Sequence, residues 1–338
     1  NGPMSFNPIA ASAYGLEADP GIATEPWVIP EGYVQSIVSD ENDLNLYVAN
    51  DWNDMNTVNE TGKHAGRYMY RTHEVRGGAI GNDGNSARID GTSGGAVSVV
   101  DLKTGVAKEV VGRADWEALD GIVWTPWQTV LFAEEAGTAA RPDPDAPQAK
   151  AGLVYELKLD KHDPMSAESV AVRPMLGALA HEGLEIDAEG NVYVIDEDRK
   201  GSIYKFVPTT YGDLSSGQLY ALKVKNGAKT GAAEWVALDM TQAQIKANVA
   251  ARAVGATEFC RPEDIERARY LLDRVGLNDR LDHRPAEERE KKRAQHPADM
   301  PSGNAPVIQF CRSWPGMRLH CTARRGTCQE WDPQELLS

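Results

Sequence analysis

The sequence predicts an all-β fold: a β-propeller of the six-bladed type that lacks its last blades, followed by a helical or irregular tail. Three observations predict it. Short β-branched or alternating runs separated by turn residues fill the first 260 positions. Strand–turn–strand units recur about 50 residues apart, the spacing of propeller blades. Helical periodicity is missing until about Thr241.

In order, the expected strands are Tyr33–Val38, Arg67–Arg71, Ala96–Leu102, Val130–Phe132, Leu153–Leu159, Asn191–Ile195, Ser202–Val207, Gln218–Val224 and Glu234–Leu238. Turn signals lie between them at Asn82-Asp83-Gly84, Thr104-Gly105, Ala188-Glu189-Gly190, Lys200-Gly201 and Asn226-Gly227. The repeat is carried by AVSVVDLKTG from Ala96, LVYELKLDKHDP from Leu153 and SIYKFVPTTYGD from Ser202. A β-sandwich with chance similarity between edge strands is the alternative, but regular spacing with so little helix favours the propeller. About four blades fit before residue 260. TQAQIKANVAARAVGA from Thr241 reads as a short helix.

Composition bounds the function. The 338 residues carry 35 Lys+Arg against 50 Asp+Glu, a net charge of −15, which disfavours binding to a phosphate backbone and so to nucleic acid. A hydrophobic share of 41% is too high for a disordered chain. No run approaches the roughly 20 apolar residues that span a bilayer. The charge is unevenly placed: residues 1–260 hold 21 basic and 37 acidic residues, whereas residues 261–338 hold 14 and 13. All four cysteines (Cys260, Cys311, Cys321, Cys328) fall at or beyond that boundary, without CxxC spacing, and read as incidental thiols or one disulfide rather than zinc ligands. The division is therefore 1–266, the blades with the acidic motifs, and 267–338, a basic tail richer in Arg and Cys. The tail reads either as a natural extension with solvated helices or as non-native sequence from a shifted reading frame. The start at Asn1, without a leader-like segment, fits a mature form or a fragment.

Five acidic groups stand at strand ends beside glycine or aromatic residues: His73-Glu74; Asp120-Gly121 with Glu134 and Glu135, near Trp116, Trp124 and Trp127; His181-Glu182-Gly183; Asp196-Glu197-Asp198-Arg199; and Arg261-Pro262-Glu263-Asp264. Carboxylates converging on a propeller channel repel one another unless cations neutralise them. Oxygen-rich sets suit Ca²⁺, Mg²⁺, Mn²⁺ or iron. Each group has a plain alternative as a solvated strand end or acidic turn. Divalent ions would reverse the local field and admit an anionic phosphate ester, polarising its oxygens and lowering the pKa of bound water. Arg71, Arg173, Arg199 and Arg261 are placed to clamp phosphate oxygens or, equally, to hold the carboxylates as salt-bridge partners. Neither GxxxxGK[ST] nor HExxH occurs, which leaves nucleotide-loop and zincin chemistry unsupported.

These motifs together resemble the PhoX-type alkaline phosphatases, a family of metal-dependent propeller enzymes. The resemblance runs through THEV (Thr72–Val75), DGIVWTPWQTVLFAEE (Asp120–Glu135), RPMLGALAHEG (Arg173–Gly183), VYVIDEDRKGSIYKFVP (Val192–Pro208), SGQLYALK (Ser216–Lys223) and GATEFCRPEDIE (Gly255–Glu266). It implies a periplasmic or secreted enzyme using calcium together with iron. By position, Glu182 resembles a family metal ligand, and Asp196, Glu197 and Asp198 occupy the acidic turn associated with metal. Glu74 matches the glutamate of an Asn-His-Glu motif with Thr72 in place of Asn. Glu134 and Glu135 match a Cys-Glu-Glu end with Ala133 in place of Cys. The iron-bridging cysteine is replaced by Asp120, which suits Ca²⁺, Mg²⁺ or Mn²⁺ better than a thiolate-bridged ferric pair. A later Asp ligand near Pro-Asp-Asn is missing from the tail.

The expectation is a phosphoric-ester hydrolase in which a metal-bound phosphate is attacked by a metal-activated oxygen. Asp120, Glu182 and Arg199 are its catalytic residues, Arg71, Arg173 and Arg261 contact the substrate, and Glu74, Asp120, Glu134, Glu135, Glu182 and Asp196 to Asp198 ligate metal. The substrate is a small phosphate ester and the chain is taken as a monomer. The alternatives are a metal-dependent phosphotriesterase or lactonase, or a non-catalytic calcium-binding propeller.

Overall fold

The computed structural model describes residues 53–75, 94–138 (without 139–141), 142–225 and 231–262, with short pieces at 16–18, 28–30, 38–39, 43–47 and 88–92. The expected strand at 33–37, the turns at 82–84 and 226–227, Glu263, Asp264 and the tail 267–338 lie outside the described residues.

β1 (Leu16–Ala18) and β2 (Val28–Pro30) form a small antiparallel pair. Three antiparallel sheets follow, each a meander in which consecutive strands are neighbours, as in propeller blades. The first is β3 (Asn53–Val58), β4 (Tyr68–His73), β5 (Ala96–Asp101) and β6 (Val106–Gly112). The second is β7 (Leu119–Trp124), β8 (Val130–Glu134), β9 (Val154–Leu159) and β10 (Ala167–Val172). The third is β11 (His181–Ile186), β12 (Val192–Asp196), β13 (Ile203–Thr210), β14 (Asp213–Val224) and β15 (Ala233–Ala237). The protein is thus mostly β, in antiparallel blades, and the described sheets do not close on one another. Where about four blades were expected before residue 260, three are described. The three repeat units fall on equivalent elements, the turns from β5 to β6, β9 to β10 and β13 to β14.

The middle blade shows why the blades stack. On β8, Leu131 and Ala133 point into a core shared with Val192, Val194, Tyr204 and Phe206 of the third blade. Val130 and Phe132, on its other face, join Tyr70, Val97 and Val99 of the first blade. Alternation of period two buries both faces of one strand. Trp116 caps this second core, 4.9 Å from Phe132 and 5.2 Å from Tyr155.

The expected helix is α1 (Met240–Ala253), capped by Asp239, whose side chain accepts from the N–H groups of Thr241 and Gln242. Its alanines 243, 247, 250 and 251 pack on the third blade. Lys246 leaves helical geometry (φ −162°, ψ 109°), so two short helices meet there. Ala178 fills the break, donating to the Ala243 carbonyl and accepting from the Ala247 N–H. Cys260 is disulfide-bonded, in line with the one-disulfide reading.

Candidate metal centre

The first strand of each blade begins with the same arrangement. Asn53-Asp54, Leu119-Asp120 and His181-Glu182 open β3, β7 and β11, and in each the pairing register slips just after the acidic residue. The first residues pair with His73, Glu134 and Asp196 at the ends of β4, β8 and β12. Each partner is followed by a glutamate: Glu74, Glu135 and Glu197. The bulge turns the strand end and re-aims one side chain. Repeated in three blades, it produces two sets of acids, one on the first strands and one just beyond the second strands.

Hydrogen bonds within and between blades hold this region together. The Ala118 N–H donates to Val75 O at 3.0 Å, and the Glu135 N–H donates to Ala118 O at 2.8 Å. Glu135 also bridges to Ala180, whose carbonyl accepts from the Glu197 N–H at 2.9 Å. The Thr72 hydroxyl donates to the Asp120 carbonyl at 2.6 Å. Gly121 rests on the next blade so closely that a Cβ there would lie 2.0 Å from Glu182 O.

Asp120, Glu135 and Glu182 converge, with one carboxylate oxygen of each within 4.8 Å of the others. Asp120 is 2% exposed, and its Oδ1 is buried with no hydrogen-bond partner. Burial, foremost, then the negative charges of Asp54 and Glu182, a hydrogen bond with Glu182 and the charge of Glu135 push its carboxyl well above the ordinary range. Acids packed this way hold protons or take a cation. The donor set is all carboxylate oxygen, which fits a hard divalent cation; no thiolate stands among these three, so the set does not fit a thiolate-bridged iron pair.

The other expected residues divide. Glu134 turns away into its own blade, where it accepts from the N–H groups of Glu117 (3.1 Å) and Leu153 (3.2 Å) and from the Tyr155 hydroxyl (3.2 Å). Burial raises its carboxyl to about 8. Asp196 is buried, its Oδ1 accepting from the Asp198 N–H at 3.1 Å and its Oδ2 unpartnered. Burial raises it to about 6. Glu197 pairs with Arg261, and Asp198 accepts from the Asn248 amide at 3.2 Å. Glu74 is buried at the end of β4, in the position Glu135 holds on the next blade.

Three of the four arginines are committed to protein groups. Arg71 is wholly buried in the first blade, donating to Ser98 Oγ (2.9 Å) and Ser39 Oγ (2.7 Å). Arg173 grips Glu156 of β9 at 2.7 Å, a carboxylate that also holds the Trp127 indole N–H at 2.8 Å. Arg261 holds Glu197. Arg199 is exposed in the turn after β12 and makes no ion pair among the described residues. The tryptophans serve packing: Trp124 stacks on Tyr70 and Trp127 meets Tyr211 edge-on. The histidines are engaged as well. His73 Nε2 lies 2.7 Å from Ser98 Oγ, and burial depresses His181 to about 3, keeping it neutral.

One acid was missed. Asp54 on β3 stands at the position of Asp120 and Glu182. Its signal was the order of an acid before a register slip, legible only once the first strands are aligned.

Residues 120–275 match the family described as Alkaline phosphatase PhoX. No curated protein matches the chain. Among solved structures, Pseudomonas fluorescens PhoX in complex with vanadate, a transition state analogue, is similar at 19% identity and a TM-score of 0.41. That match covers 63% of this chain, which spans 56% of the length of that one.

Proposed function

We propose that the chain, whose residues 120–275 match the family described as Alkaline phosphatase PhoX, is a metal-dependent phosphoric-ester hydrolase whose cation is held by Asp120, Glu135 and Glu182. One observation carries the reading: three carboxylates from two blades meet, and the most buried has an oxygen without a partner. A divalent cation held there supplies positive charge that draws a phosphate ester into an acidic surface and polarises its P–O bonds.

The chain's own residues do the rest. Asp120, buried and fixed through its carbonyl by Thr72, and Glu182, from the neighbouring strand, would hold the cation in place of a shared proton. Glu134 pins the end of β8 and so sets the direction of Glu135. Arg199, exposed and unpaired among the described residues, is the arginine proposed to meet the phosphate oxygens. The substrate is a small phosphate ester, Ca²⁺ or Mn²⁺ the cation, and the chain a monomer. A periplasmic or secreted location is supported by the family and by the Cys260 disulfide. Among the described residues no helix is long and apolar enough to cross a membrane.

Chelator dialysis followed by Ca²⁺ or Mn²⁺ add-back tests this, with a phosphomonoester, a phosphotriester and a lactone assayed side by side. Monoesterase activity that disappears with the metal and returns with it is the expected result. Undiminished hydrolysis after complete metal removal rejects the reading. Metal-dependent turnover of only the triester or the lactone replaces it, and stoichiometric metal with no turnover leaves a calcium-binding propeller.

A further inference from the structure

We infer that Asp54, on the first strand of the preceding blade, is a fourth carboxylate ligand of the cation site formed by Asp120, Glu135 and Glu182. The inference rests on the cation-binding reading and extends it to a residue and a blade outside the matched segment.

Position is the first argument. Asp54, Asp120 and Glu182 each follow the residue that pairs with the end of the second strand, and each precedes the slip in register. The same backbone device therefore aims all three in the same sense relative to their blades. Proximity is the second. Three hydrogen bonds bind the first blade to β7: the Thr57 hydroxyl accepts from the Trp124 backbone N–H at 3.0 Å, the Thr61 hydroxyl accepts from the Trp124 indole N–H at 2.9 Å, and the Thr72 hydroxyl donates to the Asp120 carbonyl. Across this junction β3 packs directly on β7, so Asp54 and Asp120 open neighbouring strands.

Coordination number is the third. Asp54 lies outside the 4.8 Å circle joining the other three, as repulsion between like charges favours. Ca²⁺ takes about six to eight oxygens. Three carboxylates supply six oxygens only if all are bidentate, so a fourth acidic donor drawn in by the cation would take a place otherwise left to water or substrate. The orphan Oδ1 of the deeply buried Asp120 is the independent sign that the acids face a ligand rather than solvent.

The test is calorimetric titration of the metal-free full chain with Ca²⁺ and with Mn²⁺, alongside thermal melts with and without Ca²⁺. It compares the unaltered protein with Asp54→Asn, Asp54→Glu, Asp120→Asn and the exposed control Asp213→Asn. Asp54→Asn is expected to weaken both cations at least about tenfold and to lose most of the Ca²⁺-induced rise in melting temperature. Its metal-free form is expected to melt higher than the unaltered protein, because a repelling charge is gone. Asp54→Glu keeps the carboxylate and recovers part of the affinity; Asp213→Asn changes nothing. Wild-type affinity and an unchanged Ca²⁺ shift in Asp54→Asn, with Asp120→Asn still defective, would overturn the role of Asp54 and leave the cation site standing. If the unaltered protein binds neither ion, both readings fall.

Discussion

Asp120 and Asp196 are both buried carboxyls at strand ends, yet their surroundings give them different work. Around Asp120 stand three other acids, Asp54, Glu135 and Glu182, so its burial makes sense only with a proton or a cation. Around Asp196 the polar partner is a backbone N–H, and a neighbouring polar group, the Tyr204 hydroxyl, is also buried without a partner. Its cost falls on stability. The folded carboxyl titrates near 6 against 3.8 when free, so the folded chain binds more protons between those values. Its favourable contribution is full below about pH 4 and is lost as the pH rises through 6. Asp196→Asn should therefore abolish this part of the pH dependence. The unaltered protein should lose on the order of 2–3 kcal/mol more than the variant between pH 3.5 and pH 7. Urea midpoints at the two pH values measure it, and parallel behaviour of the two proteins would contradict it.

At the scale of elements, the first strands carry the site, and they are the strands the sequence hid. β4, β5, β8, β9, β12 and β13 announce themselves through alternating or continuous apolar residues such as VLFAE and VYVID. β3, β7 and β11 read NDMNTV, LDGIVW and HEGLEI; acid, glycine and asparagine interrupt the alternation because those positions serve the bulge and the cluster. The outer strands β6 and β10 escaped for the opposite reason, being too exposed to need a strong pattern. The three acids that the structure brings together, Asp120, Glu135 and Glu182, stand out in the sequence as strand-end carboxylates. The inward turn of Glu134 and the commitments of Arg71 and Arg173 were not, because they depend on cross-strand partners far along the chain. The close approach of β7 to β11 gives a direct prediction. Gly121→Ala places a methyl group against the Glu182 carbonyl, forcing the strands apart and separating the acids. Affinity for Ca²⁺ should fall at least about tenfold while the far-ultraviolet spectrum of the blades persists, since strain at one contact costs about 1–3 kcal/mol. Unchanged affinity in calorimetry would show that the spacing of β7 and β11 does not set the site.

For the whole molecule, blades whose first strands pack side by side gather carboxyl groups at one place in a protein with a net charge of −15, where protons or the proposed cation relieve their repulsion. The proposed activity depends on that cation. Diffraction from crystals grown with Mn²⁺, recorded at the manganese absorption edge, is the most direct measurement. The account predicts an anomalous peak within about 2.0–2.6 Å of carboxylate oxygens from Asp120, Glu135 and Glu182. Manganese ordered only at other surfaces, with these three side chains hydrogen-bonded to one another in the loaded crystal, would contradict it.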